Sequence, residues 1–96
     1  MMENNVRVHI WVQGRVQGVG FRAFVADSAQ AIGVTGWVRN VGWDTVEAIA
    51  EGDQARVDRF IQVVKTGPSA SRVDESRQEE ETYRAEFTGF DIDFSR

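Results

Sequence analysis

Val6, Val8, Ile10 and Val12 alternate with Arg7, His9, Trp11 and Gln13, and beyond them the apolar period changes from two to three and four. A period of two marks a half-buried strand, because successive side chains point to opposite faces. Gly14, Gly18 and Gly20 then punctuate a turn, and Phe21, Phe24, Val25, Ala29 and Ile32 recur at helical spacing as far as Gly33. Glycine suits the left-handed position that ends a helix, so the spacing predicts a helix over 21–32. A strand feeding an amphipathic helix commits the chain to a sheet with helices packed on it, since each element must bury its apolar side against another.

The remainder fits that plan. Residues 36–40 read as a short strand, 41–44 as a turn and 45–51 as a third strand, together a hairpin. Gly52-Asp53 reads as a turn and helix N-cap, and Val57, Phe60, Ile61 and Val64 form the stripe of a second helix that Gly67-Pro68 terminates. Residues 73–78 are mostly polar and fit an edge strand, where charge resists aggregation. Glu79 to Glu81 read as a solvated loop without metal-ligand spacing, and Phe87, Phe90, Ile92 and Phe94 as a strand-like apolar close. The order is β-α-β-β-α-β with a short extra strand at the C-terminus, an α+β chain of ferredoxin-like topology with both helices on one face of an antiparallel sheet. The first two strands then run in the same direction and end at one edge of the sheet. With the third strand between them their backbones lie about 10 Å apart, close enough for long side chains to meet.

With 96 residues and 42% hydrophobic content, one core and a single domain over 1–96 are expected. No apolar run approaches the length of a membrane span, and Met1 to Asn5 carry no leader pattern, so a cytoplasmic chain with no membrane partner is expected. The absence of cysteine excludes disulfides, a thiolate nucleophile and Cys-ligated metal. A net charge of −4 argues against a nucleic-acid partner. The charge is also uneven. Residues 1–45 hold four arginines against three acids, whereas residues 46–96 hold seven basic and twelve acidic side chains, so a small anion is directed to the first half.

That half contains Gln13-Gly14-Arg15-Val16-Gln17-Gly18-Val19-Gly20-Phe21-Arg22. Closely spaced glycines let successive N–H groups turn inward, and a helix start adds unpaired donors and the positive end of its dipole. No Ser, Thr, Asp or Asn stands just before the helix to cap those donors. Arg22 at the mouth carries a planar fork that can hold two phosphate oxygens. On spacing alone, such a loop serves either anion binding or turn geometry.

The stretch from Val12 to Arg22 resembles the first signature of the acylphosphatase family, and Gly36-Trp37-Val38-Arg39-Asn40 resembles the start of the second. The similarity continues through Val46-Glu47-Ala48, Glu51-Gly52, Gly67-Pro68 and Val73-Asp74 to Phe87-Thr88-Gly89-Phe90. It implies a ferredoxin-like fold and hydrolysis of the carboxyl-phosphate bond of a small acyl phosphate, without a cofactor or metal. By position, Arg22 matches the family's phosphate-binding arginine, Asn40 its water-orienting asparagine, and Arg15, Val16, Gln17, Gly18, Val19 and Gly20 its phosphate loop. Inorganic phosphate is the implied product and competing ligand. The chemistry is consistent with two polar side chains and a nest of amides, since a carboxylate leaves readily and phosphoryl transfer is mainly positioning and charge stabilisation. An amide is too weakly basic to take the water's proton, and the resemblance implies that a phosphate oxygen of the substrate does so.

The chain departs from the family at Asp44, which occupies the place of a turn glycine. The hairpin is expected to survive either with Asp44 in a left-handed conformation or with Gly42 absorbing the strain. Arg15 and Arg39 are expected mainly as solvated surface charges, His9 as a structural or exposed residue, and the tryptophans as core or rim packing, with Trp43 a candidate border for the acyl group. A monomeric enzyme is the leading expectation. The alternatives are a non-enzymatic phosphate- or carboxylate-sensing module of the same fold, and an interaction domain pairing through an exposed edge strand.

Overall fold

A computed structural model describes residues 4–94. Met1 to Glu3, part of the segment read above as lacking a leader pattern, lie outside the described residues, as do Ser95 and Arg96. The elements run β1 (Asn5–Arg15), α1 (Phe21–Ile32), β2 (Thr35–Val41), β3 (Thr45–Asp53), α2 (Gln54–Thr66), β4 (Arg72–Glu81) and β5 (Phe90–Ile92). The sheet order is β4-β1-β3-β2-β5, with β2 and β5 parallel and the other neighbours antiparallel. This is the ferredoxin-like βαββαβ order plus a short C-terminal strand, and β3 separates the parallel β1 and β2 as expected.

Side-chain alternation sorts the sheet into two faces. Val8, Ile10 and Val12 of β1, Val38 of β2, and Val46, Ala48 and Ala50 of β3 meet Phe21, Val25 and Ala29 of α1 and Val57, Phe60 and Val64 of α2 in one core. Phe60 is fully buried, with its ring centroid 5.5 Å from that of Phe90. Burial of one such ring stabilises the fold by about 1.5–3 kcal/mol. Gly33 ends α1 at φ 96°, its N–H donating to Ala29 O at 2.8 Å, and Asp53 caps α2 by accepting from Arg56 N at 2.9 Å.

The other face is polar at one end. Arg7 lies beside Glu51 on β3 and Glu81 on β4, donating to Glu51 Oε2 at 3.3 Å, Glu81 Oε1 at 2.9 Å and Glu86 Oε1 at 2.8 Å. Glu51 also accepts from the backbone N–H groups of Arg84 at 2.7 Å and Glu86 at 2.9 Å, which ties the segment after β4 to the sheet. Burial opposes charge on Glu51 and Arg7. The donors around Glu51 nevertheless hold its carboxyl below the usual range, and the three carboxylates raise the Arg7 pKa. Hydrogen bonds from Arg7 and His9 lower that of Glu81.

Three boundaries differ from the sequence reading. β4 continues through Glu79, Glu80 and Glu81, which were expected in a loop, because their backbones pair with β1 and the Glu81 carboxylate is held by Arg7 Nε at 2.9 Å and His9 Nδ1 at 3.0 Å. β1 runs through Gly14 to Arg15, past a register shift at Gln13/Gly14, so the glycine loop begins at Val16. The apolar close contains only a three-residue strand. Phe87 instead lies 5.2 Å from the Arg7 guanidinium carbon, ring centroid to Cζ, and Phe94 is exposed.

Candidate active site

The site is built where β1 and β2 end together. Beyond β1 the chain turns through Gly18 and Gly20, both at φ 74°, a left-handed conformation in which a side chain would be strained. Gly20 is the N-cap of α1 and provides no side-chain hydrogen bond. The first backbone bond of the helix runs from Phe24 N to Gly20 O at 3.0 Å, which leaves the N–H groups of Phe21, Arg22 and Ala23 without partners inside the helix. Unpaired donors and the positive end of the helix dipole converge there.

Asn40 arrives from β2. It shares a face with Val38, two residues earlier, and Val38 is part of the core beneath the helices. The Asn40 side chain therefore points toward the helical layer at the rim where α1 begins. Its Oδ1 is buried and has no hydrogen-bond partner among the described residues. An acceptor that the protein itself leaves without a donor, at the wall of a cavity, is suited to a water or a ligand.

Arg22 and Asn40 line one cavity of about 210 Å³ with Gln17, Gly18, Gly20 and Phe94. The Arg22 guanidinium lies over the Phe94 ring, Cζ to centroid 4.9 Å, and no carboxylate among the described residues pairs with it. Its charge is thus available to an incoming anion. Arg39 borders the wider opening outside, but its Nε donates to Glu47 Oε1 at 2.6 Å and its guanidinium stacks on Trp37, so its charge is matched locally.

The expected loop residues divide. Gln17, Gly18 and Gly20 line the cavity, and Val16 borders it with its side chain fully buried. Arg15 lies at the end of β1 and Val19 packs against the core, and neither borders this cavity. Arg15 lines a second groove, of about 560 Å³, with Gln13, Trp43, Asp44, Arg72 and Asp74. That groove is larger, yet Arg72 is already paired with Asp74 at 2.9 Å and the uncapped helix start lies elsewhere. The smaller cavity has the stronger claim to the chemistry. Phe94 at its rim was not anticipated, because an aromatic residue near a chain end gives no sign of which side chain it will cover.

The Asp44 departure leaves the hairpin intact. Gly42 adopts the left-handed conformation at φ 61°, whereas Asp44 has no positive φ. Asp44 instead accepts from Gln13 Nε2 at 2.7 Å and Thr45 Oγ1 at 3.0 Å, and its backbone oxygen accepts from Gly14 N at 3.0 Å. His9 bonds Glu81 Oε2 at 3.0 Å and Glu47 Oε2 at 2.5 Å on the polar sheet face, with its ring stacked 3.8 Å from Trp11. It is a structural residue, as expected.

The acylphosphatase family model matches residues 8–92. Acylphosphatase of Syntrophobacter fumaroxidans is 44% identical over 90 residues, covering 94% of this chain and 93% of its own. That of Aeropyrum pernix is 48% identical over 88 residues, covering 91% and 87%. The crystal structure of acylphosphatase from Bacillus subtilis matches with a TM-score of 0.88 at 36% identity, over 93% of this chain and 99% of that one. With the family model and the relatives matching nearly end to end, the chain belongs to the acylphosphatase family of hydrolases acting on acyl phosphates.

Proposed function

We propose that the cavity between α1 and β2 hydrolyses small acyl phosphates, with the phosphoryl group held by Arg22 and the amides of loop 16–20 and the start of α1. Asn40 orients the attacking water. The water oxygen bonds to phosphorus and the bridging P–O bond breaks. The carboxylate leaves with the electron pair of that bond, and the water's proton passes to a phosphoryl oxygen. The donors stabilise the charge on the equatorial oxygens, which is most of what phosphoryl transfer asks of a protein. The observation that carries this reading is the meeting of Arg22, an uncapped helix start and the unpartnered Asn40 Oδ1 at one cavity.

The reaction as proposed needs no metal or cofactor, and the enzyme acts as a cytoplasmic monomer. The test is hydrolysis of benzoyl phosphate in the presence of a chelator, with and without inorganic phosphate. Turnover with competitive inhibition by phosphate is the expected result. Phosphate binding without turnover would point instead to a sensing module, and a requirement for added metal would overturn the cofactor-free scheme.

A further inference from the structure

Gln17 belongs to the phosphate loop, yet its side chain faces away from that loop's own backbone and reaches the β2–β3 hairpin. Its Nε2 donates to Thr45 O at 2.9 Å, Gly42 O at 3.2 Å and Val41 O at 3.4 Å. An amide nitrogen has two hydrogens, so the three carbonyls share them. Val41 directly follows Asn40, and Gln17 itself lines the cavity of Arg22 and Asn40.

The two halves of the site would otherwise be loosely joined. Gly18 and Gly20 flank one side of this contact and Gly42 the other, all in conformations that leave the backbone little steric restraint. The second tie, from Gln13 and Gly14 to Asp44, anchors the far side of the turn to β1 and leaves the loop unheld. We infer that Gln17 is a positioning residue, whose side-chain amide locks the phosphate loop to the hairpin and so fixes Asn40 relative to Arg22. The inference rests on the proposed roles of those two residues. The chemistry calls for glutamine: asparagine is one methylene shorter, and glutamate would set carboxylate oxygens against three carbonyls. Leucine keeps the bulk and provides no donor.

The experiment is a double-mutant cycle on benzoyl phosphate hydrolysis, with wild type, Gln17→Leu, Asn40→Ala and the double variant, read as kcat, KM, phosphate inhibition constant and thermal midpoint. Gln17→Leu should lower kcat about tenfold, consistent with the steep cost of sub-ångström misplacement of reacting groups, while phosphate inhibition stays within about twofold. In the Asn40→Ala background the same substitution should change kcat by less than about twofold, because it acts through a side chain already removed. An undiminished loss in that background, or phosphate affinity weakening in step with kcat, would overturn the positioning role while leaving the function intact. Wild-type turnover in Asn40→Ala alone would instead overturn the role of Asn40 and the lock with it. If Gln17→Leu fails to fold, Gln17→Met, which keeps the unbranched length without a donor or a charge, carries the same expectations.

Discussion

The guanidinium of Arg22 rests on the ring of Phe94, 4.9 Å from Cζ to centroid, at the rim of the cavity that also holds Asn40. The ring orients the cation without neutralising it, as a carboxylate would. A cation–π contact at an exposed ring contributes about 0.5–1 kcal/mol, so Phe94→Ala should raise KM about two- to fivefold. Arg22→Ala removes the charge itself and should cost on the order of 3 kcal/mol in the transition state, at least about a hundredfold in kcat/KM. Steady-state kinetics on benzoyl phosphate separates the two. A Phe94 variant as impaired as the Arg22 variant would place the ring in direct contact with substrate.

Asn40→Ala should separate activity from stability. Phosphate affinity should be preserved and kcat should fall sharply, because the side chain is assigned to the water. Its Oδ1 has no protein partner to lose, so the variant should stay within about 0.5 kcal/mol of wild type in stability. Denaturant titration beside kcat measures both. A variant both inactive and destabilised would mean that Asn40 supports the fold.

Gly42 takes the left-handed turn position and a Cβ there meets nothing within 4 Å, so its substitution tests backbone strain without a clash. Gly42→Ala should destabilise by about 1 kcal/mol, which in a domain of this size lowers the melting temperature by roughly 4–8 °C. Gly42→Asn should cost less, since asparagine tolerates that conformation. Equal losses in thermal melts would mean that the turn relaxes by another route.

How much of this was legible in the sequence follows from what each feature depends on. Helix α1 was read to its ends because its apolar spacing and Gly33 are local signals. Asn40 was paired with Arg22 because both stand in the resembling motifs and strand order sends β1 and β2 to one sheet edge. The extension of β4 through Glu81 was hidden, because a run of glutamates reads as solvated until Arg7 and His9 stand opposite. The reach of Gln17 across to Thr45 was hidden for the same reason: a side-chain bond between distant segments leaves no periodic trace. Asp44 was legible as a departure, but its turn was decided by Gly42 two residues earlier.

The buried cluster at the far end of β1 makes stability, and not chemistry, sensitive to acid. Glu51 and Glu81 both have carboxyls held below their ordinary value of 4.5 in the folded chain. A depressed folded value means that the unfolded chain takes up protons first. The stabilisation is therefore complete above about pH 4.5 and is lost as pH falls through the lower folded value. Wild type should show a melting temperature that drops on acidification below that point. Glu51→Gln provides one oxygen where two backbone N–H groups and Arg7 converge, and it leaves the Arg7 charge less compensated, so it should cost about 3 kcal/mol at neutral pH. Its melting temperature should also vary less between about pH 5 and 3, with the remainder due to Glu81. The cluster lies roughly 25 Å along β1 from the cavity, so kcat at neutral pH should be unchanged in the folded variant. Thermal melts across pH check the assignment: parallel curves for wild type and Glu51→Gln would place the acid sensitivity in other carboxylates.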